Sequence, residues 1–287
     1  IFVEFGQQFR SGIEQLITSI KGSECPTKTE LNKSLPSSRS QWGRRTSRGE
    51  VDATIKEELC QAKAKSTSIY CNPTTLPGYE FWEGYKYYDV GKEESVQQCW
   101  YWQLGYWIIE DILKTIATIN STSENVLTSP AKRLLSVDFT SGKTAGDRPH
   151  YVLSREDALT EPYTQRHCND DVDIVHFKFV VLVSVKAVLP FMTELCSVKE
   201  HEFRGFSGQG PKQTFRHNQI TILESNIRSI NREDKEHELY RYGDDAVVEL
   251  DLICEYLFNK NSHEEIKPGS VKKELADKDD TGVKRRR

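Results

Sequence analysis

No stretch of this chain approaches the roughly 20 consecutive apolar residues that span a bilayer, so no membrane helix is encoded within it. No C-x-x-C pair occurs among the seven cysteines (Cys25, Cys60, Cys71, Cys99, Cys168, Cys196, Cys254), which removes zinc ribbons and dithiol redox motifs. The odd count leaves at least one thiol unpaired, and Cys196 and Cys254 sit in apolar patterns where a thiol serves as a small hydrophobe. Excess positive charge is missing too. Against 39 Lys and Arg stand 43 Asp and Glu, and a net charge of −4 offers no general attraction to nucleic acid or to an anionic membrane. Hydrophobic residues reach only 37% and the mean hydropathy is −0.62, values of a chain with long polar connections and limited buried volume.

Catalytic signatures fail at identifiable positions. Ser141-Gly142-Lys143-Thr144 has the end of a phosphate-binding loop, but Val137 stands where that motif requires its first glycine. His201-Glu202 and His237-Glu238 begin like a zinc-protease helix, yet Gly205 and Arg241 occupy the place of the second histidine. His167, Cys168, Asp170 and Asp171 are a compact set of ligand types in a polar loop without a recognised spacing, and a solvated loop is the preferred reading. No G-x-S-x-G elbow is present. The expectation is a protein that is not an enzyme, with no catalytic residue, no cofactor, no metal and no nucleic-acid partner.

What is present is a series of periodic segments. Phe2, Phe5, Phe9, Ile13, Leu16, Ile17 and Ile20 recur at helical spacing and form one apolar stripe. Residues 22–49 are rich in Ser, Thr, Pro, Lys and Arg and read as linker or loop. A second helix is expected over 51–65, with Val51, Ile55, Leu59 and Ala62 on one side. Residues 68–90 hold β-favouring residues around a Pro77-Gly78 turn signal. Val96, Trp100, Leu104, Trp107, Ile108, Ile112, Ile116 and Ile119 then define a long amphipathic helix over 94–119, followed by a strand over 133–139.

Beyond a polar connection, Val175, Phe177, Phe179, Val181 and Val183 share one face of a strand, with His176 and Lys178 on the other. The period then becomes helical through Val185, Val188, Leu189, Met192, Leu195 and Cys196. Pro190 is tolerated only in a first turn, which puts the helix start nearer Val188 than Ser184. Residues 205–212 read as a Gly-rich loop. Ile220 and Ile222 lie on one parity and Ile227 on the other, so a bulge is expected between them. Val248, Leu250, Leu252, Cys254, Tyr256 and Phe258 form the face of a last strand. With 287 residues the chain has room for two modest cores. The organisation expected is an N-terminal helix and linker (1–45), a first α-β-α-β module (46–140), a connecting loop (141–171), a second β-α-β-β module (172–259), and a disordered charged tail (260–287).

Several segments together resemble a known family. Tyr79-Glu80-Phe81, the helix start Glu94-Ser95-Val96-Gln97-Gln98, Gln103-Leu104 and the strand Leu134-Leu135-Ser136-Val137-Asp138-Phe139 look like PilO-type pilus assembly proteins, in particular their verrucomicrobial, pilus-associated envelope branch. Phe177 to Val183, Phe191-Met192-Thr193-Glu194-Leu195, Asn226-Ile227-Arg228-Ser229-Ile230-Asn231 and Tyr240-Arg241-Tyr242-Gly243-Asp244-Asp245 follow in the same order, so the likeness covers roughly residues 50–259. The resemblance implies an α+β fold of two small ferredoxin-like sandwich modules preceded by a helical or coiled-coil stalk. It also implies a bacterial envelope location, periplasmic or outer-membrane associated. The implied role is structural, with pairing to itself as a homodimer or to a related pilus-system protein, and the only membrane contact is an N-terminal anchor ahead of Ile1. The chain departs from the family in lacking that anchor, in a poor coiled coil over 22–49, and in an insertion around 205–212.

One feature exceeds the needs of a scaffold. Tyr79, Phe81, Trp82, Tyr85, Tyr87, Tyr88, Trp100, Tyr101, Trp102, Tyr106 and Trp107 crowd a short stretch. Trp100 and Trp107 fall on the apolar helix face, whereas Tyr101 and Trp102 point elsewhere. Three uses are open for the remainder: core packing, a protein interface, or stacking on a glycan or other host ligand. Tyr85, Tyr88, Tyr101, Trp102 and Tyr106 are the interface candidates, and the surface-binding module is the alternative function.

Overall fold

A computed structural model describes residues 2–34, 48–85, 91–140, 148–204, 210–217 and 219–284. In chain order its elements are α1 (Phe2–Ser19), β1 (Gly22–Ser23), α2 (Lys28–Ser34), α3 (Arg48–Ser66), β2 (Ile69–Tyr70), α4 (Lys92–Asn120), β3 (Ala131–Asp138), β4 (Val172–Ser184), α5 (Val188–Leu195), β5 (Lys199–Phe203), β6 (Gln213–His217), β7 (Ile220–Ser229), β8 (Val247–Asn259), α6 (Lys260–Ile266) and α7 (Gly269–Lys284). The class is α+β, as expected, and an N-terminal helix precedes the sheet.

The alternating residues of β4 and β8 dictate the centre of the fold. Phe177, Phe179, Val181 and Val183 stand opposite Cys254, Leu252, Leu250 and Val248 in an antiparallel pair. Seven of these eight side chains are buried, and Val248 is half-buried against them. β3 pairs antiparallel with the other side of β4 and β7 with the other side of β8, while the short β1 and β2 add in parallel, giving the order β1-β2-β3-β4-β8-β7. This pairing corrects the expected division into two sandwiches. Residues from both sides of the 141–171 connection hydrogen-bond within one sheet and share one core, because each strand buries its apolar face against the same helices. β5 and β6 form a separate two-stranded ribbon at the expected insertion.

The core is built around α4. Its first turn carries Glu93 and Glu94, favourable beside the helix N-terminus. At its other end the Asn120 amide donates to the carbonyls of Ser68 and Ala131 and accepts from Ala131 N–H, fixing the helix to β2 and β3. Between these ends the helix is buried on nearly every side, Trp100, Tyr101, Trp102, Leu104, Trp107, Ile108, Ile109, Ile112, Leu113 and Ile116 included. A helix apolar all round is a buried helix. The α1 stripe closes one side with Phe5, Phe9, Ile13 and Ile17. The N-terminal segment is therefore part of the core. Its close approach depends on Gly6, where a Cβ would stand 2.3 Å from the Trp82 ring.

The helix start at Val188 and a register shift between Ile222 and Glu224 agree with expectation. Three segments differ. Tyr79-Glu80-Phe81 lies in a turn after Gly78, whose φ of +79° only glycine adopts freely. The expected linker contributes β1 and α2, with 35–47 outside the described residues. The tail expected to be disordered folds back as α6 and α7. Asn259 caps α6 by accepting from Asn261 N–H, His263 and Val271 are fully buried, and Ile266 and Leu275 pack beside them. A few well-placed apolar residues suffice because they fill a gap between α4 and the sheet.

Candidate functional site

The aromatic candidates fall mostly inside the protein. Trp102 is buried, stacked on Phe81 with centroids 5.2 Å apart and edge-on to Phe9 at 6.0 Å. Tyr101 is buried beside Tyr151, with its hydroxyl on Glu274 of α7 and the Arg148 guanidinium 4.1 Å from its ring centre. Tyr106 is half-buried against Phe9. Tyr85 lies in a 3-10 turn at Glu83–Tyr85, and Tyr88 is outside the described residues. Tyr101 and Trp102 thus correct the interface expectation. α1, the turn after Gly78 and α7 cover the faces of α4 that the sheet does not, so side chains off the main stripe are core as well.

The other candidates from the sequence are separated by the fold. His201 lies on β5 and His237 in a turn, so neither begins a helix. His237 is buried with Nδ1 2.9 Å from the Tyr242 hydroxyl. The 167–171 set forms a turn: Asn169 Oδ1 accepts from Asp171 and Val172 N–H, and Cys168 Sγ lies against the Ile174 backbone. Among the described residues no three potential ligands converge on one point. All seven cysteines are free thiols, and burial pushes those of Cys71, Cys99 and Cys168 up to about 12, far from nucleophilic. Residues 141–144 lie outside the described residues.

Two buried polar groupings have structural explanations. Asp173 is buried and pairs at 2.6 Å with buried Lys267, with Lys260 and His263 each 3.8 Å away, so α6 and its exit are latched onto the start of β4. On the opposite sheet face, Glu255 is covered by the 155–168 loop through Arg166, and His176 Nδ1 accepts from Leu159 N–H. Burial raises the Glu255 carboxyl against the pull of Arg166 and lowers His176 to about 4. An open groove of about 570 Å³ between α4 and α5 is lined by Lys114, Thr118, Glu194, Ser197, Lys199 and Asp111. Its buried charged groups are already engaged: Lys199 with the Glu194 carbonyl and Ser197, Asp111 with the Tyr256 hydroxyl.

The surface left unsatisfied is the edge of the sheet. β7 pairs with β8 on one side, and no strand pairs with its other side among the described residues. From Glu224 to Ser229 every residue is exposed. An unpaired edge presents a row of backbone donors and acceptors to any other strand, and proteins usually blunt such edges with proline, charged side chains, bulges or brevity. β7 has ten residues with neither Pro nor Lys; its register shift lies between Ile222 and Glu224, and beyond it the exposed stretch carries only the charges of Glu224 and Arg228. The opposite edge, β1, has only two. Register places Ile227 level with Leu250 and Val181 on the helix-covered face, yet Ile227 is 53% exposed while the other two are fully buried. On the other face Lys178 pairs with Asp251 at 3.2 Å, and Arg228 reaches Glu249 and Asp251 at 3.6 and 3.8 Å with 59% of its side chain exposed.

Against known proteins, no protein-family model matches this chain, and no curated protein matches it. Two solved structures from Akkermansia muciniphila show distant similarity to this chain. One, described as lacking its transmembrane region, shares 9% identity over 82% of this chain and 97% of its own, with a TM-score of 0.29. The other shares 9% identity over 90% of this chain and 96% of its own, with a TM-score of 0.30. Similarity at that level carries no functional argument, and the PilO-type assignment does not follow from it. The β7 residues were visible in the sequence as a strand with a bulge. Their position at the sheet edge was not, because strand order is a long-range property.

Proposed function

We propose that this chain is a non-enzymatic structural component of a pilus-like or secretion-like envelope assembly, and that it works by lending the open β7 edge to a strand of another protein. The observation that carries the reading is an edge of six consecutive exposed residues with no proline or lysine to protect it. The partner is a second copy or a related pilus-system protein. The envelope setting rests on the family resemblance in the sequence. The alternative, a glycan or host-ligand surface built on aromatics, loses its main support with the burial of Tyr101 and Trp102.

The test is the size of the tagged chain in a gently solubilised envelope extract. It should migrate well above its own 33.0 kDa, and Ile227→Lys, which places a solvated charge on the edge, should shift it toward that mass. A complex indifferent to Ile227→Lys, or no complex at all, contradicts the reading.

A further inference from the structure

We infer that β7 pairs antiparallel with β7 of a second copy of this chain, about a two-fold axis through Asn226, joining two sheets into one. The inference rests on the edge-pairing reading above and names its partner.

The exposed stretch of β7 is complementary to itself. In a two-fold antiparallel pair centred on Asn226, Glu224 stands directly opposite the partner's Arg228, and Arg228 opposite the partner's Glu224. Opposite residues in such a pair share a sheet face with Cα atoms roughly 4.5–5.5 Å apart. The two charged side chains of the exposed stretch are therefore matched twice by one axis. Other axes fail on the same residues. Centring on Glu224 or Arg228 sets like charges against each other, and centring on Ser225 or Ile227 leaves both charges facing uncharged residues.

The ion pairs already on that face run toward the axis. Lys178 holds Asp251, Asp251 and Glu249 lie at the long distances of 3.8 and 3.6 Å from Arg228, and Arg228 remains more than half exposed. Glu224 pairs with no cation of its own chain among the described residues. The partner's Glu224 continues the ladder. On the helix-covered face the same axis sets Ile227 beside the partner's Ser225 and diagonal to the partner's Ile227, within side-chain reach, and so covers an apolar side chain that is 53% exposed in the single chain. Six residues of edge make a small interface, so the association is concentration-dependent.

The purified full chain is measured by light scattering across concentration, as wild type, Glu224→Arg, Arg228→Glu, and an equimolar mixture of the two variants. Wild type forms dimers. Each variant associates about tenfold more weakly, since two cross-strand attractions become repulsions. The mixture regains wild-type association, because in a pair made of one variant of each kind position 224 again faces a position 228 of opposite charge on both sides of the axis. Asn226→Cys closes a covalent dimer on oxidation and Ile222→Cys does not. Buried tryptophan fluorescence confirms that each variant is folded. A wild type monomeric at its highest soluble concentration, a mixture no better than either variant, or a crosslink at 222 in preference to 226 overturns the inference. A monomer in purified form whose extract complex is still dissolved by Ile227→Lys overturns self-pairing and leaves edge pairing with another protein intact. Insensitivity in both settings overturns both.

Discussion

Replacing Lys267 by Met leaves Asp173 as a carboxylate 1% exposed, robbed of its 2.6 Å ion pair. Breaking a buried pair from one side costs about 3–5 kcal/mol, because the remaining charge stays desolvated. Lys260, 3.8 Å from Asp173, keeps some compensation in place, so about 3 kcal/mol is expected near neutral pH. The pH dependence follows from the direction of the Asp173 shift. Burial already holds its carboxyl above the ordinary range and Lys267 pulls it back, so removing the lysine raises it further. A carboxyl raised in the folded state contributes stability that is present at low pH and lost as pH rises through its folded value. The deficit of the variant should therefore be largest at about pH 7.5 and shrink toward about pH 5. Asp173→Asn combined with Lys267→Met removes both charges and should recover part of the loss at neutral pH. Urea unfolding followed by tryptophan fluorescence reads this directly, since Trp100 lies 5.0 Å from His263 in the same latch. A Lys267→Met deficit below about 1 kcal/mol, or one unchanged with pH, would refute the latch.

Trp102→Ala should cost about 3–5 kcal/mol in the same assay, the usual range for emptying a buried aromatic site, while leaving the mass of the folded fraction unchanged at a given concentration. His176 is held neutral, lowered to about 4 by burial and by the nearby charge of His150, so its contribution is present above the unfolded value of 6.5 and lost as pH falls toward about 4. Melting temperatures across that interval should drop more steeply for wild type than for His176→Gln, by up to about 3 kcal/mol in stability at the acid end. Parallel curves would remove His176 from the acid response.

The features legible in the sequence were those set by local period. The α1 stripe, the α4 heptad-like face, the alternation in β4 and β8, the Pro190 constraint and the parity change between Ile222 and Ile227 each depend on residues within a few positions of one another, and the structure has each of them. Apart from the turn that Gly78 sets at Tyr79-Glu80-Phe81, what the sequence hid depends on the partners each segment meets. Nothing near Val137 announces that it will pair with Phe179, so the joining of two apparent modules into one sheet was invisible. Tyr101 and Trp102 lie off the main stripe of α4, and only the arrival of α1, the 76–82 turn and α7 turns that side into interior. The tail has too few aliphatic residues for a compositional signal, yet His263, Lys267 and Val271 each find a specific partner or niche. The β5–β6 ribbon was hidden by the glycines between its strands.

The most direct measurement of the central claim is hydrogen exchange at single amides from Glu224 to Ser229, comparing the dilute purified chain with the chain labelled inside its native envelope extract. If β7 is a working edge, alternate amides of this segment, free in the dilute chain, become protected in the extract, while the β4 and β8 amides are slow in both. Exchange from Glu224 to Ser229 that is equally fast in both samples would contradict the account.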